Sequence, residues 1–358
     1  MAEVYLDKIK HIYKGEKKPA VEDVTIKIPN SSFVALLGPS GCGKTTLMKI
    51  IAGLIKPTEG KVYFDGEDVS AVPAEERNVG MVFQFIVTYD MSVYDNIAFP
   101  LKVKRVPKEE IRKKVVEVAE MLDLKEYLER HPMELDAAMR QRVAIARALV
   151  KDAKIYLLDE PLTNLDPAAR ARLRSDIKKN QKYLKQTILY VTHDQTEALT
   201  LAEKIAIMNS GKIIQYDEPS VLYEHPKNMF VAHFLGNPGM NFIDCELKDN
   251  YLISGSWKYS LDESWSRELS KYGQEFVLGI RPEYVEVSKE RLPGYSRAEV
   301  SLTEGMGNLN LLHLRIGDVE LRAKVALFNI KKGDEVFIHL PKNKIRMFDK
   351  KTEELILG

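Results

Sequence analysis

Apolar residues follow one rhythm up to about residue 235 and another beyond it. In the first region four short, unbroken apolar runs stand out: Phe33-Val-Ala-Leu-Leu37, Val79-Gly-Met-Val-Phe83, Ile155-Tyr-Leu-Leu158 and Ile188-Leu-Tyr-Val191. Runs of this length read as buried strands, and helical spacing fills the stretches between them, so the pattern predicts an α/β fold. Thr46 to Gly53 reads as a helix opening at the loop after the first run. From Pro107 to about Tyr127, Ile111, Val115, Val118, Ala119 and Leu122 recur three and four apart behind Pro107 and two glutamates, which predicts an amphipathic helix. A second helix, from about Ala137 to Val150, places Val143, Ala146, Leu149 and Val150 on one face, with Asp136 as its N-cap. Residues from about 85 to 155 therefore read as a helical insertion.

Strict alternation marks Val4-Tyr-Leu6 and Val24-Thr-Ile-Lys-Ile28, predicted as an antiparallel pair beside the strand at 33–37. A strand-turn-strand follows through Val62-Tyr-Phe64 and Asp65-Gly66, and a hairpin through Ile205 to Met208 and Lys212 to Gln215. Two short helical segments then lead to Leu235. Gly236-Asn-Pro-Gly239 has the composition of a linker. Beyond it the pattern is short strands with turns: 242–247, 251–254, 276–280, 298–302, 311–314, 321–325 and 336–340. That spacing predicts an all-β barrel or sandwich, and it sets two domains, 1–236 and 237–358. Trp257 and Trp265 are expected in its core.

Composition narrows the setting. Lys and Arg total 53 against 52 Asp and Glu, a formal net charge of +1 over 358 residues. No global field then draws the chain to nucleic acid, and no nucleic-acid partner is expected. Cys42 and Cys245 make no disulfide framework and suit a reducing compartment. No stretch approaches the roughly 18 to 20 apolar residues that span a bilayer, so a membrane role has to come through a partner.

The chemistry gathers at the ends of the apolar runs. Gly38-Pro-Ser-Gly-Cys-Gly-Lys-Thr45 fits G-x-x-x-x-G-K-[ST], with strand before and helix after. In such a loop the backbone amides from Gly38, Pro39's successor Ser40, Gly41, Cys42, Gly43 and onward to Thr46 surround phosphate oxygens at a helix N-terminus. Lys44 adds a charge near the β- and γ-phosphates of a nucleotide, and the Thr45 hydroxyl is a ligand for Mg²⁺. The third run ends in Asp159 and Glu160: the first is placed to hold Mg²⁺, the second to hold the attacking water. The second run ends at Gln84, whose amide suits both Mg²⁺ and a water, and the fourth ends at His193. Tyr13 is an aromatic in the first turn region, where a ring can stack on a base. Read alone, Gln84, His193 and Tyr13 fit plain structural roles better, and the strand-tip position of His193 in this series shifts that balance.

This order of features resembles the ATP-binding cassette (ABC) ATPases over residues 3 to 235. The strings that carry the resemblance are Gln141-Arg-Val-Ala-Ile-Ala-Arg-Ala-Leu149, Leu157-Leu-Asp-Glu-Pro-Leu-Thr-Asn-Leu-Asp166 and Val191-Thr-His-Asp-Gln-Thr-Glu-Ala198. With Gly279-Ile-Arg-Pro-Glu283, Leu312-His-Leu-Arg-Ile-Gly-Asp318 and Met347-Phe-Asp349, the chain is similar to the energising subunits of carbohydrate importers of the maltose type. The resemblance implies a phosphate-loop cassette with a helical subdomain and a C-terminal regulatory domain of oligonucleotide/oligosaccharide-binding (OB) character. It implies ATP and Mg²⁺, with Tyr13 stacking on adenine, Gln84 as switch, Glu160 as general base, His193 sensing the γ-phosphate and Asp166 facing a second cassette. It also implies two membrane-spanning partners docked on the helical insertion, an indirect extracytoplasmic sugar-binding protein, and a peripheral location on the cytoplasmic face of the membrane. The other classes to weigh are a nucleotide-responsive regulatory subunit with little turnover and a soluble, non-transport cassette ATPase.

Two departures stand out. Where the family carries Leu-Ser-Gly-Gly-Gln, this chain has Leu135-Asp136-Ala137-Ala138-Met139. In the family, that segment meets the γ-phosphate held by the opposite subunit. A carboxylate there meets like charge: two unit charges about 4 Å apart repel by roughly 4 kcal/mol at an effective dielectric of 20. The expectation is a degenerate signature and weak homodimeric turnover, with either a homodimer or a heterodimer as the assembly. The second departure is Phe85-Ile-Val-Thr-Tyr-Asp-Met91, which lacks the proline of its relatives.

Overall fold

In the computed structural model, which describes residues 1–163, 165–326 and 329–358, the four unbroken apolar runs all become strands of one sheet. In chain order the first unit, Met1–Pro219, runs β1 (Val4–His11), β2 (Val21–Ile28), β3 (Phe33–Leu37), α1 (Lys44–Ala52), β4 (Glu59–Phe64), β5 (Glu67–Asp68), β6 (Val79–Val82), α2 (Val93–Val103) and α3 (Lys108–Met121). It continues through α4 (Ala137–Leu149), β7 (Ile155–Asp159), α5 (Pro167–Leu184), β8 (Ile188–Thr192), α6 (Gln195–Leu201), β9 (Lys204–Asn209) and β10 (Lys212–Asp217).

Among the described residues the main sheet has the order β10-β9-β3-β8-β7-β6. It is parallel except for the β9–β10 hairpin. Every residue of β3, β7 and β8 is buried, as expected of parallel strands covered on both faces. Their C-terminal ends deliver Gly38, Asp159 and His193 to one edge of the sheet, where ligands of open α/β folds bind.

The β1–β2 pair is antiparallel as expected, but it does not lie beside Phe33–Leu37. It belongs to a separate sheet of order β2-β1-β4-β5. Both hydrogen-bonding edges of β3 are occupied, by β8 and β9. A fully paired strand has no edge left for a hairpin.

The insertion contains α2, which apolar spacing did not mark, besides α3 and α4. Pro100 lies inside α2, and proline in a sequence argues against a helix. What starts the helix is Ser92, whose side chain accepts from Asp95 N. The buried face of α3 is Ile111, Val115, Val118 and Ala119, the expected stripe.

The second unit, Ser220–Gly358, takes in nearly all of α7 (Pro219–Glu224), then α8 (Met229–Phe234), β11 (Asn241–Lys248), β12 (Tyr251–Ser254), β13 (Trp257–Ser260), α9 (Glu263–Leu269), β14 (Glu275–Ile280), β15 (Glu286–Ser288), β16 (Ser296–Gly305), β17 (Asn310–Ile316), β18 (Val319–Val325), β19 (Glu335–His339), β20 (Arg346–Asp349) and β21 (Leu355–Leu357). Two antiparallel sheets, β13-β12-β11-β14-β20-β21 and β15-β19-β16-β17-β18, share one apolar core that includes Leu252, Trp257, Phe276, Leu312 and Ile338. The helices ahead of Gly236 group with this unit through Arg281. Its guanidinium is 1% exposed and donates to the carbonyls of Tyr223, Ala232 and Leu235. A buried cation needs such acceptors, and the two helices supply them.

Candidate functional site

The phosphate-binding pattern folds as a loop wrapped over the N-terminus of α1. Gly41 and Gly43 have φ of 78° and 107°, a region that favours glycine. A Cβ on Gly43 would stand 2.3 Å from Ala20 O, and one on Gly38 would stand 2.2 Å from Met208 O. The loop is thus packed tightly against backbone from two other segments, at Ala20 and Met208. Lys44 is 5% exposed, and its ammonium donates to Gly38 O at 2.8 Å and Pro39 O at 3.0 Å. Ser40 and Gly41 are exposed at the crown, while Cys42 is buried beneath it; burial pushes its thiol up. At the far end of α1, Arg77 donates to Ile50 O and Ile51 O, which satisfies helix carbonyls that have no partner of their own.

Thr45 Oγ1 donates to Asp159 at 3.2 and 3.3 Å from its two carboxylate oxygens. Burial pushes the Asp159 carboxyl up, and the Thr45 hydroxyl opposes this. Tyr13 lies alongside: its hydroxyl is 3.0 Å from Thr46 Oγ1, its ring meets His11 edge-on at 4.7 Å, and it is 40% exposed. The expected aromatic is therefore held against the loop.

Glu160 is where the strand ends converge. Its φ is 43°, a left-handed conformation that costs a non-glycine residue roughly 1–2 kcal/mol. Its Oε2 accepts from Gln84 Nε2 at 3.3 Å and from Thr163 Oγ1 at 3.2 Å, and lies 3.0 Å from His193 Nδ1. Gln84, Glu160 and His193 come from three separate strand ends and meet at one oxygen. Thr163 had no place in the sequence reading.

Behind His193 stands Glu197, also unanticipated. It is buried and accepts from Tyr190 OH at 2.9 Å and Thr192 Oγ1 at 2.7 Å. Burial pushes its carboxyl up, against the pull of both hydroxyls. The available signal was Asp194-Gln-Thr-Glu197, the spacing of an N-cap followed by an acid at the third helical position; Asp194 does cap α6, accepting from Glu197 N.

Asp136, Ala137, Ala138 and Asp166 lie elsewhere, on a cleft of about 440 Å³ that none of the phosphate-loop residues lines. Asp136 is exposed and caps α4 by accepting from Met139 N at 2.7 Å, as its sequence position predicted. Asp166 caps α5 through Ala168 N and Ala169 N, both at 3.0 Å. A third feature is an apolar groove of about 390 Å³ lined in part by Phe83, Phe85, Val87, Tyr89, Phe99 and Val103. The segment after Gln84 that lacks the family's proline is fixed in its place by buried Asn96. That amide bonds Tyr89 N, Tyr89 O, Met91 O and Ser92 O. Arg147 adds a bond to Val87 O and lies 4.8 Å over the Tyr89 ring.

The residues present fit a nucleoside triphosphate. The loop turns backbone amides and an engaged lysine toward a helix N-terminus, and a hydroxyl and a carboxylate stand together beside it. Among the described residues no group of three or more His, Cys, Asp or Glu forms a metal cage. Mg²⁺ needs none, since it binds through one or two carboxylates plus substrate phosphates.

Comparisons with known proteins agree. The ABC transporter family model matches residues 21–163, and the MalK OB fold domain model matches residues 236–285. The chain is 41% identical to the oligosaccharides import ATP-binding protein MsmX of Bacillus subtilis, covering 99% of both chains. It is 42% identical to the trehalose/maltose import ATP-binding protein MalK of Thermococcus litoralis, covering 94% of this chain and 95% of that one. Among solved structures, the dimeric bacterial ABC transporter cassette MJ0796 matches with a TM-score of 0.55 and 31% identity, over 60% of this chain and 98% of that one. With a phosphate loop, an acid, an amide and a histidine assembled on one sheet edge, and full-length relatives at this identity, the chain belongs to the ABC transporter family, as one of its ATP-hydrolysing subunits.

Proposed function

We propose that this chain is the ATP-hydrolysing subunit of a carbohydrate importer, working in a pair of cassettes beneath two membrane-spanning permease subunits. The observation that carries the hydrolytic part is the convergence of Gln84, Thr163 and His193 on Glu160 Oε2. Glu160 is the base that takes a proton from the attacking water, and His193 and Gln84 hold it while facing the γ-phosphate. Thr45, Asp159 and Gln84 would hold Mg²⁺, which would supply charge that neutralises the phosphates. Lys44 and the amides of 38–46 bind the phosphates, and Tyr13 carries the base.

Full-length likeness to sugar-import ATP-binding proteins supports the transport assignment. In this reading the apolar groove beside Phe85 and Phe99 receives the permeases. A peripheral position on the cytoplasmic membrane face follows; no helix among the described residues is long and apolar enough to cross a membrane. The sugar-binding protein acts through the permeases.

The Leu135–Met139 segment makes this chain a poor donor to a partner's ATP site. Asp136 already takes the Met139 N–H, one of the helix donors that a phosphate would use, and it adds like charge. The assembly is then a weakly turning homodimer, or a heterodimer whose partner supplies an intact segment. Steady-state ATPase of the purified chain tests this. Replacing Asp136→Ser, Ala137→Gly, Ala138→Gly and Met139→Gln together is expected to raise turnover about tenfold or more, and an unchanged rate would remove the degenerate-segment reading. Glu160→Gln is expected to keep ATP affinity and abolish turnover; normal hydrolysis would remove Glu160 from its role. Uptake of a labelled oligosaccharide, lost on deletion of the gene and restored by the parent but not by Glu160→Gln, checks transport.

A further inference from the structure

Arg170 belongs to none of the motifs that identify the site, yet it touches both sides of it. It stands at the end of the first turn of α5. Its Nη2 donates to Thr163 O at 3.4 Å and Leu165 O at 3.3 Å, and its Nη1 lies 3.7 Å from Asp194 Oδ2. The two carbonyls lie between Glu160 and Asp166 in the sequence. Asp194 follows His193 directly. Its Oδ1 caps α6 through Glu197 N, its own N–H bonds Thr192 Oγ1, and Thr192 in turn bonds Glu197.

A continuous chain of polar contacts therefore leads from the loop that presents Asp166 to the turn that presents His193. Stability does not account for it. The Arg170 and Asp194 side chains are 34% and 30% exposed, and ion pairs in such settings contribute little to folding. What a guanidinium offers here is direction: its planar fork holds carbonyls on one side and a carboxylate on the other in fixed relation, which a lysine ammonium does not.

We propose that Arg170 is a positioning residue for ATP hydrolysis. It ties the Thr163 and Leu165 carbonyls to Asp194, so that Glu160 and His193 keep a common alignment when a second cassette contacts the turn at Asp166. The proposal rests on the reading of Glu160 and His193 as the hydrolytic pair.

The test is single-turnover hydrolysis of radiolabelled MgATP by excess full-length chain, which resolves slow rates, alongside ATP affinity by calorimetry. Arg170→Met and Asp194→Asn are each expected to slow the hydrolytic step about tenfold, with affinity kept within about twofold. The double variant should be no slower than the slower single one, since both changes cut the same link. Asp194→Asn keeps the α6 cap, because asparagine caps as well as aspartate. It therefore carries the test if Arg170→Met does not fold, together with Arg170→Lys, which retains charge without the fork and should not rescue. Parent-like rates, a slowing that vanishes at saturating chain concentration, or losses that multiply in the double variant would each overturn the proposal. Glu160→Gln run in parallel separates the two failures: if it hydrolyses ATP normally, the proposal falls through the acid and not through Arg170.

Discussion

Glu197 shows how much of a candidate site can rest on a residue outside its motifs. Its carboxylate is the shared acceptor for two hydroxyls, Tyr190 and Thr192, that are 0% and 1% exposed. Glu197→Ala leaves the Tyr190 hydroxyl without a partner and the Thr192 hydroxyl with only the Asp194 N–H that it accepts, and each buried donor left unmet costs about 1–3 kcal/mol. The expected loss is about 2 kcal/mol or more of unfolding free energy in urea, with a further fall in turnover because Asp194 and His193 sit on the same turn. A variant with parent stability would show that water or a rearranged neighbour fills the role. Such residues are hard to read in a sequence. Glu160 and Lys44 were legible because their chemistry requires a fixed residue at a fixed spacing, whereas Thr163, Arg170 and Glu197 act through contacts that only the folded chain defines. Tyr13 and Gln84 lie between these cases: the chain alone left them open, and the fold puts them in contact with Thr46 and Glu160.

Helix α4 combines two functions at one terminus, and substitution separates them. Asp136 caps the helix and, in the proposed reading, carries the charge that opposes a phosphate. Asp136→Ala removes both and is expected to cost about 1 kcal/mol of stability. Asp136→Asn keeps the cap and removes the charge, so its melting temperature should match the parent while its ATPase rises. If the two variants had equal ATPase and equal stability, neither cap nor charge would matter at this position. This cap was legible because an aspartate stands directly before a periodic apolar stretch. Helix α2 was not, because Pro100 reads as a breaker, whereas burial of Val93, Ile97 and Leu101 holds the helix together across it. Tertiary packing here outweighs local propensity. The β1–β2 pair was legible as a pair but not in its sheet, since strand alternation says nothing about which neighbour a strand meets. In the second unit β13, β15, β20 and β21 escaped notice: each is three or four residues long, a length at which alternation registers weakly, although β12, equally short, was read.

At the scale of the whole chain, the division at Pro219 carries a prediction about fragments. The segment 220–358 retains Tyr223, Ala232 and Leu235, whose carbonyls receive buried Arg281. It is expected to unfold cooperatively. A fragment beginning at residue 237 strips that guanidinium of its carbonyl acceptors and of the Tyr223 ring that covers it, and should lose its sharp transition in circular dichroism; equal cooperativity in both would refute the role given to the two helices. Composition and linker signals pointed to Gly236, because glycine and proline are visible in a sequence and a buried arginine's carbonyl partners are not. The phosphate loop has a comparable reach in the first unit. Gly43 abuts Ala20, next to the hairpin sheet, and Gly38 abuts Met208, in the parallel sheet. A loop braced by two sheets exists only when both have formed, so nucleotide is linked to the folding of the entire cassette. At a hundredfold excess over its dissociation constant a ligand of the folded state adds about 2.7 kcal/mol to stability, and here that increment is shared by every strand of both sheets.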